Sequence, residues 1–192
     1  MSEQMTDVSD VEQLIGEISA LRGKVAQLQE RVEQLDLLAH EDSLVALPNR
    51  RGFMRALERT IDRVSRYKEK GALLFVDVDG LKVINDSLGH LAGDEALVQV
   101  SRLLVSGVRK SDVVARLGGD EFAILLGYSD EQSARDTAVR LIELIAGSEF
   151  MYDGQALPLS VAIGAAGING DDTPETALAR ADQEMYRHKV AA

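Results

Sequence analysis

From residue 11 to residue 35 the chain repeats every seven residues without a break. Val11, Ile18, Val25 and Val32 fall seven apart, and Leu14, Leu21, Leu28 and Leu35 each follow three positions later. A repeat of this kind leaves few folds open, because it demands a helix whose narrow apolar seam is covered along its whole length. β-Branched residues at a and leucine at d favour two parallel strands. In that arrangement Glu17 faces Arg22 of the second copy and Arg31 faces Asp36, both opposite in sign. A single amphipathic helix lying on its own domain would show a wider apolar stripe, so the expectation is a homodimer through an N-terminal coiled coil. Gly16 and Gly23 both fall at the outward f position, each costing ~1 kcal/mol of helix stability relative to alanine. The stalk is therefore expected to be marginal alone, and a regulatory protein bound to it could bias it.

After residue 40 the texture changes, so the expected division is a stalk over residues 1–39 and one globular domain over 40–192. Phe53, Leu57, Ile61 and Val64 mark one face of a helix. ALLFVDVDG reads as a buried strand running into a turn, and GHLAGDEALVQVSRLLVSGV as a second helix. DVVARLGGDEFAILL is two short apolar runs around Gly-Gly, a hairpin signal. DEQSARDTAVRLIELIAG is a third helix, LPLSVAIGAAGI a further strand, and Thr173 and Pro174 open a final helix. Strands that interleave with helices predict an α/β or α+β sandwich with one central sheet.

Composition narrows the chemistry. There are no cysteines, which excludes disulfides, thiolate metal sites and a cysteine nucleophile. A net charge of −11 argues against a nucleic-acid partner, although bound metal ions would still allow a nucleotide substrate. No signal peptide and no apolar run of membrane-spanning length is visible, so the expected compartment is the cytoplasm with no membrane partner.

Three acidic clusters fall at turns. Asp77 and Asp79 alternate onto one face at the end of the buried strand, where a carboxylate pair suits a hard cation, though Asp and Gly also simply make turns. Gly118-Gly119 at the hairpin tip permits positive φ and close backbone approach, and Asp120 and Glu121 follow directly. Asn85, Asp86, His90 and Asp94 form the third cluster. Asp86 reads as a residue of a polar loop, whereas the Asn85 amide and Asp94 carboxylate can read a purine edge.

Together these residues resemble the GGDEF family of diguanylate cyclases. The signature stands intact as Gly118-Gly119-Asp120-Glu121-Phe122, and the D-x-D…K-x-I-N-D-x-x-G-H-x-x-G-D stretch matches from Asp77 to Asp94. Asp42, Leu44, Leu47, Asn49, Arg50 and Arg51 match the family's opening motif, and Ala181, Asp182, Tyr186 and Lys189 its closing helix. Val45 and Ala46 stand where the family has Thr and Gly. The family also continues into a basic tail whose Arg contacts phosphate, and since the sequence stops at Ala192 that contact is expected to be missing.

The resemblance implies a mainly antiparallel sheet flanked by helices, like the palm domains of nucleotidyl cyclases and polymerases. It implies condensation of two GTP into cyclic di-GMP with release of two pyrophosphates, each dimer subunit holding one GTP. By the same carry-over, Asp77, the Val78 carbonyl and Asp120 hold Mg²⁺, with Mn²⁺ the alternative. Asp120 or Glu121 takes the hydroxyl proton, and Lys82 and Lys189 stabilise phosphate charge. The amides of Gly80 and Leu81 cradle phosphates, Asn85 and Asp94 read guanine, and Leu44 and His90 line the site. Arg109 and Asp112, nine and six residues before Gly118, match the family's inhibitory product site, with Arg140 expected as a second contact from a neighbouring subunit. A surface ion pair would be the reading of an R-x-x-D elsewhere in a helix, but the fixed offset from the signature favours the product site here. A domain that binds GTP or cyclic di-GMP without turning it over, as receptor or scaffold, is the alternative function.

Overall fold

The computed structural model describes the backbone of residues 3–191, and the side chains of 15–32, 36, 39–187 and 189–190. The chain divides into two compact units, Met1–Ala39 and His40–Ala192.

The first unit is helical: α1 runs over Glu3–His40. The described seam residues are all open to solvent, with Ile18 48%, Leu21 59%, Val25 52%, Leu28 62% and Val32 64% exposed. Val11, Leu14 and Leu35, which complete the heptads, lie outside the described side chains.

The second unit follows the order α2 (Arg50–Tyr67), β1 (Gly71–Val78), α3 (Leu81–Leu88), α4 (His90–Ser106), β2 (Val113–Gly118), β3 (Glu121–Gly127), α5 (Glu131–Ala146), β4 (Phe150–Tyr152), β5 (Gln155–Leu157), β6 (Val161–Gly167) and α6 (Pro174–Ala191). Four strands form one antiparallel sheet in the order β2-β3-β1-β6. The sheet is covered on both faces. Leu74, Val76 and Val78 pack with Leu97, Val100 and Leu141 on one side, while Leu73 and Phe75 pack with Phe53, Leu57 and Leu178 on the other. A strand covered on both faces reads as a continuous apolar run, which is why GALLFV carries no polar residue.

Local chemistry sets the helix ends. The Asn49 side chain accepts the Gly52 amide at 3.0 Å and starts α2, which buries Phe53, Leu57, Ile61 and Val64. The Asp130 carboxylate accepts the Ser133 amide at 3.0 Å and starts α5. α6 packs closely on β6, so a Cβ at Gly164 would lie 2.1 Å from the Ala181 carbonyl oxygen and 2.1 Å from the Met185 nitrogen.

Two elements differ from expectation. Asp86 lies within α3 and not in a loop, because Leu81 is buried and Ile84 packs against the core, and that burial outweighs the weak helix propensity of Asn and Asp. β4 and β5 form a separate two-stranded hairpin around Asp153-Gly154, at φ 48° and 77°.

Candidate functional site

β1, an interior strand, delivers Asp77 near its C-terminal end, and Asp79 follows just beyond it, at the edge where the strands stop. In the antiparallel register Asp77 stands opposite Glu121, and paired residues of antiparallel strands project to the same face. One residue on, the Val78 amide donates to the Asp120 carbonyl at 3.0 Å. Pairing of β1 with β3 thus brings the Asp77 strand end to the signature turn. On the other side of β1, the Asp79 amide donates to the Ser160 carbonyl at 3.0 Å, and the Ser160 hydroxyl donates to the Asp79 carboxylate at 3.1 Å.

Charge at this edge is unbalanced toward negative. The Lys189 ammonium of α6 binds the Asp77 carboxylate and lies 3.5 Å from that of Asp79. The Asp77 hydrogen bond, opposed by partial burial, holds the lysine above its ordinary pKa. The Glu121 carboxyl is pushed up, first by desolvation and then by Asp120, with Asp182 and Asp77 adding to the repulsion and Arg50 opposing it. A cleft of about 270 Å³ holds Glu121 together with Arg50, Phe75, Glu175 and Asp182.

The signature turn is held from outside the site. Gly118 and Gly119 adopt φ 147° and 52°, open to glycine and disfavoured for other residues. The Gly119 carbonyl accepts from Arg116 Nε at 3.1 Å and Nη2 at 2.8 Å, while Arg116 Nη1 reaches both Asp42 carboxylate oxygens at 3.2 and 3.3 Å. Asp42 also accepts the amides of Leu44 and Val45. Sequence reasoning passed over Arg116. Its only signal was its place two residues before the Gly-Gly turn, and its carboxylate partner lies 74 residues away.

α3 and α4 supply the remaining candidates. Gly80 enters α3 at φ 69°, and its carbonyl accepts the amides of Val83 and Ile84, leaving those of Leu81 and Lys82 at the positive end of the helix. The Asn85 side chain lies against Gly93 of α4, and its Oδ1 is buried without a hydrogen-bond partner. Lys82, His90 and Asp94 are exposed, and Leu44 packs against the core.

A separate cleft of about 220 Å³ brings Arg109, Asp112 and Arg140 together with Ser133 and Asp136. The Asp112 carboxylate accepts the amides of Arg109 (3.0 Å) and Gly127 (3.3 Å), which builds it into the turn. Arg140 Nη1 donates to the Gly107 carbonyl at 2.6 Å.

The oxygen-only chemistry at Asp77, Val78 and Asp120 suits a hard divalent cation, and the repulsion from Asp120, Asp182 and Asp77 that adds to desolvation in raising Glu121 is what such an ion would relieve. Among the described residues, no three His, Cys, Asp or Glu side chains form a metal cage. Other ligands would have to come from the main chain, solvent or a bound phosphate. No helix among the described residues is long and apolar enough to cross a membrane.

Comparison with known proteins places these features in context. Residues 39–192 match the family described as "Diguanylate cyclase, GGDEF domain". Diguanylate cyclase TpbB of Pseudomonas aeruginosa is 42% identical over 156 residues, which cover 80% of this chain and 36% of that protein. The chain thus spans about a third of that relative's length. Among solved structures, the diguanylate cyclase SiaD of Pseudomonas aeruginosa, in complex with its activator SiaC, superposes with a TM-score of 0.76. It is 28% identical, over 98% of this chain and 75% of that one. The coiled coil and GGDEF domain of DgcB from Caulobacter crescentus, in complex with c-di-GMP, gives a TM-score of 0.87. At 22% identity over 93% of this chain and 95% of that one, it shows a shared fold.

Proposed function

This chain belongs to the GGDEF family of diguanylate cyclase domains, and on that premise we propose that it condenses two GTP into cyclic di-GMP and two pyrophosphates. The observation that carries this reading is the convergence, through the β1–β3 register, of Asp77 and the intact Asp120-Glu121 pair beside Lys189 and the N-terminus of α3.

In this reading Asp77, the Val78 carbonyl and Asp120 hold Mg²⁺, or Mn²⁺ in its place. The ion, when bound, lowers the pKa of the attacking hydroxyl and neutralises charge on the leaving pyrophosphate. Asp120 or Glu121 accepts the 3′-hydroxyl proton, Glu121 standing opposite Asp77 in the strand register. Lys189 gives up part of its hold on Asp77 and Asp79 when triphosphate and metal arrive, and with Lys82 it offsets phosphate charge. The amides of Gly80 and Leu81 cradle the phosphates at the N-terminus of α3. Asn85 and Asp94 read the guanine edge, with Leu44 and His90 beside it.

One subunit has one GTP site, so two loaded subunits must face each other. The open seam of α1 supports a second copy as the partner that supplies the high local concentration. The similarity to SiaD, solved with its activator, supports a regulatory protein as a partner of this chain, and we seat it on the helical stalk. Arg109, Asp112 and Arg140 in one cleft support product inhibition there, through a guanidinium grip on phosphate or guanine. We further propose that the unit boundary near residue 40 divides dimerisation from catalysis. Full-length protein incubated with Mg²⁺ and GTP, with nucleotides separated by chromatography, is expected to yield cyclic di-GMP. Intact GTP after binding is demonstrated would reject the enzyme reading.

A further inference from the structure

Gly93 is an odd residue for its place. It lies in the first turns of α4, buried, where glycine is the poorest helix former after proline. The reason is visible in what a side chain there would meet. A Cβ would lie 2.0 Å from Asn85 Oδ1, 2.9 Å from Cγ and 3.2 Å from Nδ2. All three atoms of the amide head therefore rest on the bare Cα of Gly93. The Asn85 backbone is fixed independently, since its carbonyl accepts the Gly89 amide at 2.9 Å where α3 ends. Only side-chain rotation remains free, and the rotamer seen needs the space over Gly93. In that rotamer Oδ1 is buried and unpartnered, and the amide's other polar atom, Nδ2, is a donor.

We propose that Gly93 is a positioning residue for base recognition, acting through Asn85. It holds the Asn85 amide with its donor outward, toward an acceptor on the guanine edge such as O6, while Asp94, the next residue on α4, accepts from N1–H and N2–H₂. This rests on the reading above that Asn85 contacts the base. A methyl group at position 93 cannot share the space with the amide, because carbon and oxygen do not approach within 3 Å without a bond. It would swing Asn85 away, and the donor would no longer meet the base. Adenine carries a donor where guanine carries O6, so a fixed outward donor also discriminates between the two.

The test is a two-by-two set in the full chain: parent, Asn85→Ala, Gly93→Ala and the double variant. Each is titrated calorimetrically with a non-hydrolysable GTP analogue and Mg²⁺, and each is assayed for KM and kcat. Loss of one well-made polar contact to a base corresponds to a fall in affinity of roughly tenfold to a hundredfold. The expected pattern is a fall of that size in Asn85→Ala and in Gly93→Ala, carried in KM with kcat nearly unchanged. The double variant should be no weaker than Asn85→Ala alone. If Asn85→Ala loses affinity but Gly93→Ala binds like the parent, the positioning role is wrong and the base contact stands. If both single losses multiply in the double variant, Gly93 acts by another route and the proposal fails. If Asn85→Ala binds like the parent, the base-contact reading itself fails. Should Gly93→Ala not fold, the double variant, which has room for the methyl group, must fold; if it does not, the clash lies elsewhere and the proposal is overturned.

Discussion

Replacing Gly164 by alanine tests whether the packing of α6 on the sheet sets both stability and site geometry. Gly164 lies on β6 opposite Phe75 of β1. Its missing Cβ would sit 2.1 Å from the Ala181 carbonyl oxygen, 2.1 Å from the Met185 nitrogen and 2.7 Å from the Met185 Cα. The carbonyl and amide are the i and i+4 partners of one helical hydrogen bond, so the obstacle is rigid backbone and not a side chain that can rotate. Ordinary carbon–oxygen approach is roughly 3.3 Å, so α6 must lift from the sheet by about 1 Å. Overpacking of this kind costs ~1–3 kcal/mol, and a helix backbone on the far side puts the cost near the upper end, about 3 kcal/mol. For a domain of this size that lowers Tm by about 6–12 °C. The same displacement moves Lys189, one turn beyond Met185, away from Asp77, so cyclase activity should fall as well. Urea unfolding followed by circular dichroism measures the first effect, and product formation at a temperature where the variant is folded measures the second. A variant within ~0.5 kcal/mol of the parent would refute the argument that this contact is tight.

Four further outcomes are expected. Asp120→Asn preserves shape but removes a negative ligand, and should cost ~2–4 kcal/mol of transition-state stabilisation; initial rates at saturating Mg²⁺ equal to the parent's would contradict it. Ala46, at φ 49° in a region that disfavours side chains, should give way to glycine with a gain of up to ~1 kcal/mol in urea unfolding, and a loss would show the loop relies on the methyl group. Asp172 is held below its ordinary pKa chiefly by Arg180, with the Asn169 amide helping and burial opposing. A depressed folded pKa means that its stabilisation is complete above the unfolded value near 4 and drains away as pH falls through the folded value. Asp172→Asn should therefore cost ~2 kcal/mol at pH 7 and progressively less below pH 4, whereas an equal penalty at pH 7 and pH 3 would exclude the charge as its source. Glutamate at Leu21 and Leu28, two open seam positions, should yield a folded monomer by sedimentation with little activity at low protein concentration, and a fully active monomer would remove the stalk from the mechanism.

What could be read from the sequence follows from which forces are local. The heptads were legible because a seven-residue period is written directly along the chain, and β1 because a strand buried on both faces is a plain apolar run. The Asp153-Gly154 pair was a readable hairpin signal, its positive φ angles being those of a tight β-turn, yet the strands beside it are only three residues each. α3 hid because Asn, Asp and Gly in KVINDSLGH mimic a turn, and the burial that makes the segment helical comes from elsewhere in the fold. The site divided the same way. Asp77, Asp79, Asp120 and Glu121 stood out as acids at turns, but that Asp77 faces Glu121 depends on strand register, which no single segment carries. Arg116 was only half legible: its bonds to Gly119 are local, but the Asp42 carboxylate that anchors it lies on a distant loop. The fit of Asn85 over Gly93 likewise depends on how two helices meet.

The central claim is that two GTP molecules are joined through two displaced pyrophosphates, and the most direct test counts both products in one reaction. With Mg²⁺ and GTP, cyclic dinucleotide and pyrophosphate are quantified from the same time points, by chromatography and by a coupled phosphate assay after pyrophosphatase. The account predicts two pyrophosphates for every cyclic di-GMP, with both absent when ATP replaces GTP. Pyrophosphate or phosphate released without a cyclic dinucleotide, or no turnover of GTP that is demonstrably bound, would contradict it.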